Sequence, residues 1–310
     1  MPEEASRIQA FLGGDADLVD LSSREVAETQ IKGQPGIVFH GDMPRLSAYG
    51  FSLNQDLSAS DTPTGGEWGT GVPDNFFADA NMRRCFTYAF DNQAFIDQVL
   101  SGQGTHQNAM LPDTFLGYDG NVEPQAYDPA QAEEFCKAAH DGQAWEQGFT
   151  LTAAYLEGYT ENQTALEMLK QNLETMNPKF RINMVGKPLG DFLTAVDVEP
   201  MGQVGWGPDY ADPDNFIRTF YHSKGFYAPL FSLNDPELDA WTDEAATITD
   251  EAERTKLYGQ VAERARDEGY YINLPVGRSF LAYHNDLSGM EPQNYNPLYG
   301  YYWKNLSKSE

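Results

Sequence analysis

The stretch from Phe149 to Leu193, FTLTAAYLEGYTENQTALEMLKQNLETMNPKFRINMVGKPLGDFL, changes its hydrophobic period repeatedly. Phe149 to Tyr155 alternates in steps of two, the pattern of a strand with one face buried. Thr160 then opens a helix that turns Leu166, Leu169, Leu173 and Met176 to one side. Phe180, Ile182 and Met184 return to the strand period, and a short helix follows near Phe192 and Leu193. Strand, helix, strand, helix is the signature of an α/β fold, because each helix covers the apolar face of neighbouring strands.

Downstream, Met201 to Trp206 reads as a strand that ends in a dense polar loop. Asp235-Pro236 caps a helix with Leu238, Trp241 and Ala245 on one side, and Asp250 opens a long one through Leu257, Val261 and Ala265, stopped at Gly269. Tyr270 to Pro275 and Phe280 to Tyr283 read as closing strands, before a tail rich in Asn, Pro, Gly and Tyr. Upstream, Met82, Cys85, Phe86, Ala89 and Phe90 form one helical stripe, and Asp91 restarts a second through Phe95, Ile96, Val99 and Leu100 until Gly102. Asp128-Pro129 pairs an acceptor cap with a proline whose missing N–H is no loss in a first turn, and Ala132, Phe135, Cys136 and Ala139 follow as its stripe. Residues 55–74, with Thr62-Pro63-Thr64-Gly65-Gly66, read as a loop or linker. Before it, Glu3 to Leu12 reads as a helix stopped by Gly13-Gly14, and Asp17–Leu21, Gly36–His40 and Tyr49–Asn54 as strands.

At 310 residues the chain is long for one domain, and two lobes are expected at roughly 100–200 residues each. Its 47 acidic against 20 basic residues give a formal net charge of -27, which opposes nucleic acid and anionic membranes. That excess is read as a solvated surface, or more sharply as adaptation to a saline habitat. Cys85 and Cys136 each fall on an apolar helical stripe, where free buried thiols are the expectation and a bridge between them the alternative. The five histidines are scattered and no Cys/His spacing suits zinc, so no metal or cofactor is expected. No segment reaches the roughly 18 apolar residues of a membrane span. Met1-Pro2-Glu3-Glu4 has neither a basic nor an apolar leader region, so a signal segment is not expected within this sequence.

The polar loop from Trp206 to Phe216 holds the candidate site. Asp212-Pro213 reads as cap and first residue of the next helix, and Asp214 suits its dipole. Asp209 has no such local duty; a carboxylate at a strand end beside Trp206 and Tyr210 can hold an ammonium group, though Pro-Asp is also common turn chemistry. Trp206 and Tyr210 are expected to line a cleft or, alternatively, to be core aromatics. Tyr295, Tyr299, Tyr301, Tyr302 and Trp303 read as a docking tail in preference to a sugar platform. His222 stands eight and thirteen residues from Asp214 and Asp209, which is no metal-ligand spacing.

Three stretches in order resemble family-5 extracytoplasmic solute-binding proteins, over nearly the whole chain. Met82-Arg83-Arg84-Cys85-Phe86-Thr87-Tyr88-Ala89-Phe90-Asp91-Asn92-Gln93-Ala94-Phe95-Ile96, continuing to Gly102-Gln103-Gly104, is similar to the family's helix pair built on Arg, Tyr-Ala and Asp. Cys85 and Phe86 stand there in place of the usual small or aliphatic residues. Tyr127-Asp128-Pro129-Ala130-Gln131-Ala132 resembles its Tyr-Asp/Asn-Pro helix opening, and Gly205-Trp206-Gly207-Pro208-Asp209-Tyr210-Ala211-Asp212-Pro213-Asp214-Asn215-Phe216 its Gly-Trp-x-x-Asp-Tyr-x-Asp-Pro segment. Weaker echoes lie at Gly14–Asp17, Asn234–Asp239 and Leu274-Pro275.

The resemblance implies an α/β fold of the type II periplasmic-binding-protein kind: a two-lobed clamp, one lobe complete and the other partial. Residues 1–79 would belong to a first lobe begun upstream, 80–283 would form the second, and 284–310 would return to the first. One sheet would then lack strands and leave an open edge. The implied function is the receptor of an ABC importer that binds oligo- or dipeptides between its lobes, with permease subunits as partners. Asp209 would anchor the peptide amino terminus beside Trp206 and Tyr210. The implied location is the periplasm or the cell surface as a lipoprotein, and the implied state a monomer without nucleic acid or catalytic residues. A nickel chelate, haem or oligosaccharide is the alternative cargo. An acid-rich glycoside hydrolase is the alternative activity, against which no Gly-x-Ser-x-Gly motif stands. A fragment with no transport role of its own is a third reading.

Overall fold

Residues 4–21, 23–59, 65–194 and 198–309 are described by the computed structural model. The chain starts with helix α1 (Glu4–Leu12) and strand β1 (Leu18–Val19), then runs through β2 (Ile37–Met43) into β3 (Ala48–Leu53). Helices α2 (Ala80–Tyr88), α3 (Asn92–Gln98) and α4 (Pro129–Ala138) precede the alternating segment of β4 (Phe149–Leu156), α5 (Thr160–Met176), β5 (Phe180–Lys187), α6 (Leu189–Thr194) and β6 (Met201–Trp206). Helices α7 (Asp214–Tyr221), α8 (Pro236–Thr247) and α9 (Glu251–Glu268) lead to β7 (Tyr271–Asn273) and β8 (Ser279–His284). Glu3 and Thr62-Pro63-Thr64, which belong to the helix and loop expected from sequence, lie outside the described residues.

Side-chain caps set the helix starts. Asp91 accepts from the Ala94 N–H at 2.9 Å, Asp128 from Ala130 and Gln131 at 3.0 Å, and Asp250 from Glu253 at 3.0 Å. Each satisfies a donor that the first turn leaves without an intrahelical partner. At the far end of α9, Gly269 takes the left-handed conformation at φ 67° that closes the helix.

Five strands form the larger sheet in the order β5-β4-β6-β3-β7. β4 pairs in parallel with β5 from Phe149–Phe180 to Leu156–Lys187, and with β6 at Ala153–Met201 and Ala154–Gly202. β3 runs antiparallel between β6 and β7. Helices cover both faces, so the strands carry apolar residues on each side. Phe51, Leu151 and Met201 join α2 to α5 in one core, while Ala48, Val204 and Tyr271 join α7 to α9 in the other.

A smaller antiparallel sheet, β1-β8-β2, packs Val19 and Ala282 against Ile8 and Phe11 of α1. The tail lies over it: Tyr301 and Leu306 pack with Tyr283, Leu287 and Met290, whereas Tyr299, Tyr302 and Trp303 stay exposed. Hydrogen bonding divides the strands differently from cuts at 79 and 283. β3 precedes residue 80 yet sits inside the larger sheet, and β8 belongs wholly to the smaller one. The two sheets are joined by the connections 44–47 and 274–278.

The free-thiol expectation is corrected: Cys85 and Cys136 form a disulfide, with Cα atoms 5.0 Å apart. Each stripe shows which face of its own helix is buried, but not that α2 and α4 pack together. Their packing brings the two Cα atoms into the range a disulfide requires.

Candidate ligand cleft

Both connections between the sheets carry an arginine. Arg45 lies 3.6 Å from Glu161, in the first turn of α5, and stacks over the Tyr49 ring at 5.0 Å. Arg278 reaches Asp113 at 3.5 Å and Asp42 at 3.8 Å. Burial pushes the Glu161 carboxyl above its ordinary range, and Arg45 offsets only part of that.

Arg45, Arg278 and Tyr49 line a cavity of about 330 Å³ between the two sheets, where Arg7, Asp20 and Phe280 of the small-sheet side meet Tyr159, Glu161 and Asn162. A second cavity of about 220 Å³ shares Tyr49 and Tyr159 with the first and reaches Trp206 along Leu156, Phe192 and Val204. Together they make one cleft: a charged compartment at the crossings and, at the end of β6, one with no charged side chain among its described lining residues.

Trp206 is half-buried at the end of β6. Its ring packs 5.8 Å from Phe226 and 6.2 Å from Tyr227, and its Nε1–H donates to Asn215 Oδ1 at 3.1 Å. Trp206 therefore lines the cleft and also packs locally. Asp209 is exposed; its N–H donates to the same Asn215 oxygen at 2.8 Å, and its Oδ2 accepts from Asn215 Nδ2 at 3.3 Å. Asn215, buried in α7, thus fastens Trp206 and Asp209 to one point. No ion-pair partner of Asp209 occurs among the described residues. Tyr210 is directed elsewhere, onto a shallow groove with Leu46, Leu116, Leu298 and Tyr299.

The local duties differ from those expected. Asp209 does have one, the Asn215 clasp. Asp212 is not the N-cap residue, because α7 starts at Asp214 with Pro213 before it. Asp212 Oδ1 still accepts from the Asp214 N–H at 2.9 Å, and its carboxylate takes both Arg254 Nη atoms, at 2.7 and 3.0 Å. Burial alone would raise this carboxyl; the Arg254 and Asp214 hydrogen bonds outweigh it and hold it below the usual carboxylate range. His222 Nδ1 accepts from the Lys224 N–H at 2.9 Å, and Nε2 lies 3.2 Å from Asp243, so its neighbours are not Asp209 or Asp214. Among the described residues no cluster of three or more His, Cys, Asp or Glu could hold a metal ion.

Sequence reading passed over Asn215, Arg45, Glu161, Tyr49 and Tyr159. Arg45 carried one usable signal, as a rare base in a short connection of an acidic chain. The rest depend on contacts between segments distant in sequence.

Residues 1–228 match the family model described as Bacterial extracellular solute-binding proteins, family 5 Middle. Heme-binding protein A of Haemophilus influenzae is 25% identical over 229 residues, 72% of this chain and 42% of that protein. The dipeptide-binding protein of Escherichia coli is 26% identical over 245 residues, 74% of this chain and 43% of that protein. Among solved structures, the periplasmic binding protein DppA of Helicobacter pylori with peptide STSA superposes with a TM-score of 0.77 at 21% identity, over 94% of this chain and 53% of that one. The oligopeptide-binding protein AppA of Bacillus subtilis with a nonapeptide gives 0.79 at 15% identity, over 100% of this chain and 59% of that one. The chain therefore spans between two fifths and three fifths of the length of these relatives. The fold is the α/β clamp of type II periplasmic binding proteins, of which this chain forms a part. With the family match covering more than two thirds of its residues, the chain belongs to family 5 of the bacterial extracellular solute-binding proteins.

Proposed function

We propose that this chain is part of the receptor of an ABC importer, which encloses an oligo- or dipeptide between two lobes and releases it to membrane permease subunits without chemical turnover. The lobe built on the larger sheet is the second lobe, the small sheet belongs to the first, and the connections 44–47 and 274–278 are the hinge. The receptor works as a monomer outside the cytoplasmic membrane, in the periplasm or held at the cell surface by a lipid. Among the described residues no helix is long and apolar enough to cross a membrane.

The carrying observation is Asp209. Its carboxylate is clasped by Asn215, the residue that also holds the ring nitrogen of the cleft-lining Trp206, and is free of any basic partner among the described residues. A carboxylate in that position suits a peptide α-ammonium, because a charge-assisted hydrogen bond is roughly twice as strong as a neutral one. In the full-length protein, Asp209→Ala should weaken a free-amine peptide by roughly ten- to a hundred-fold in calorimetric titration. N-acetylation of the peptide should do the same to the wild type, and the two changes together should cost little more than either alone. Asp212→Ala is the control: it should cost about 1–3 kcal/mol of stability through the lost bond from the Asp214 N–H and the lost Arg254 pair, and keep the amine preference. Equal binding of acetylated and free peptides by the wild type would remove Asp209 as an amine anchor. Haem, named in one relative, is the competing ligand to titrate alongside.

A further inference from the structure

We infer that Asn215 is a positioning residue for amine recognition: its single carboxamide sets the direction of the Asp209 carboxylate and ties it to the Trp206 ring, so that a ligand ammonium group meets an anchor already oriented. The inference rests on the peptide-receptor reading above and adds to it a residue standing behind the anchor. Asn215 is only 6% exposed, whereas Asp209 is exposed.

Three hydrogen bonds carry it. Asn215 Oδ1 accepts from the Asp209 N–H at 2.8 Å and from the Trp206 Nε1–H at 3.1 Å, and its Nδ2 donates to Asp209 Oδ2 at 3.3 Å. An amide oxygen has two lone pairs, and both are used here. The partners also fix which way the amide points, since two N–H donors can face only the oxygen and the carboxylate only the nitrogen. Aspartate, of the same shape, has no donor for the Asp209 oxygen; leucine, of similar volume, has neither donor nor acceptor.

The backbone behind the amide is held independently of it. The Asn215 N–H donates to the Asp212 carbonyl at 3.0 Å, the Asn215 carbonyl accepts from Thr219 Oγ1 at 2.6 Å, and Phe216, Ile217 and Phe220 of the same helix are packed in the core. The clasp therefore passes the fixed position of α7 to a carboxylate in the loop after β6. Fastening the loop alone would need only the two N–H bonds; the third goes to a group that faces solvent. Asp209 Oδ1 has no hydrogen-bond partner among the described residues and is the oxygen open to an ammonium group. A carboxylate ordered before the ligand arrives does not have to be ordered by it, which removes that entropy loss from the binding step.

The test uses the full-length protein and the peptide Ala-Ala-Ala, with its amino terminus free or acetylated, and reads the ratio of the two dissociation constants. Asn215→Ala, which leaves room for water, and Asn215→Leu, which fills the volume, should each lower the wild-type preference for the free amine roughly three- to tenfold. A purely structural loss would weaken both peptides alike and leave the ratio as it was. In the Asp209→Ala background, either change at Asn215 should leave the ratio where Asp209→Ala alone puts it, because the residue acts through Asp209. A ratio unchanged in both single variants, or one that moves further in the Asp209→Ala background, overturns the positioning role and leaves the anchor standing. A wild type that binds both peptides alike, or neither, overturns the anchor and this role with it. If neither variant folds by circular dichroism, residue-resolved hydrogen exchange of the wild type decides. The Asp209 N–H, although on an exposed residue, and the Trp206 indole N–H should then exchange at least about tenfold more slowly than unprotected groups. Exchange of either at the unprotected rate overturns the clasp.

Discussion

At Asp235 several donors converge on one carboxylate. Arg264 Nε lies 2.5 Å and the Tyr270 hydroxyl 2.8 Å from Oδ2, and the Glu237 N–H donates to Oδ1 at 3.0 Å as the cap of α8. The side chain is almost fully buried, and burial alone would raise its carboxyl. The Arg264, Tyr270 and Glu237 bonds outweigh that and hold it below the usual range. A carboxylate whose folded value is depressed contributes stability that is complete above its unfolded value, near 3.9 in general, and is lost as pH falls through the folded value. Asp235→Asn isolates this effect, since asparagine caps a helix about as well but carries no charge. The expected cost at pH 7 is about 1.5–3 kcal/mol, nearer the lower figure because Arg264 is a third exposed and screened by solvent. Urea titrations at pH 7, 5, 4 and 3 should show the gap between wild type and variant closing below about pH 4. A gap independent of pH would mean that the charge contributes nothing there.

At the scale of elements, signals that act over three or four residues were legible in the sequence. Asp91, Asp128, Asp235 and Asp250 each cap the helix they were expected to start, and the alternation from Phe149 and from Phe180 became paired strands. Which element meets which was not legible, because it depends on surfaces brought together by the fold. That is why β3 joined the larger sheet, Tyr210 turned to a different groove from Trp206, and the two cysteine stripes met. The α2–α4 disulfide closes a loop of sequence separation 51, for which the chain-entropy relation gives about 4 kcal/mol, an upper figure within a typical 2–4 kcal/mol. Replacing both cysteines by alanine should therefore lower the urea midpoint by an amount worth about 2–4 kcal/mol. Both residues are fully buried, so a thiol reagent with reductant should detect no free sulfhydryl until urea opens the α2–α4 contact. Rapid reduction in native buffer would show that the contact opens locally.

For the molecule as a whole, charge is the unusual quantity. With 47 acidic and 20 basic residues, even complete pairing of the bases leaves 47 − 20 = 27 carboxylates facing one another across the surface. Self-repulsion of that kind destabilises the compact state, since unfolding moves like charges apart. Screening acts over a Debye length of about 10 Å at 0.1 M salt and about 3 Å at 1 M, so most of the relief should arrive below a few hundred millimolar. Salt also weakens attractive pairs such as Arg254–Asp212 and Arg264–Asp235, but these are partly buried and screened less than exposed acids. The melting temperature should therefore climb steeply from 10 mM to about 0.3 M potassium chloride and flatten above it. Exclusion of a cosolvent from the protein surface behaves otherwise, strengthening burial without screening any charge. Sucrose or another neutral osmolyte should accordingly give a gradual rise without the early step. A climb that continues to molar salt with no plateau would assign the effect to surface exclusion. A flat curve from 10 mM to 1 M potassium chloride would leave the acid excess as a solvated coat with no part in salt tolerance.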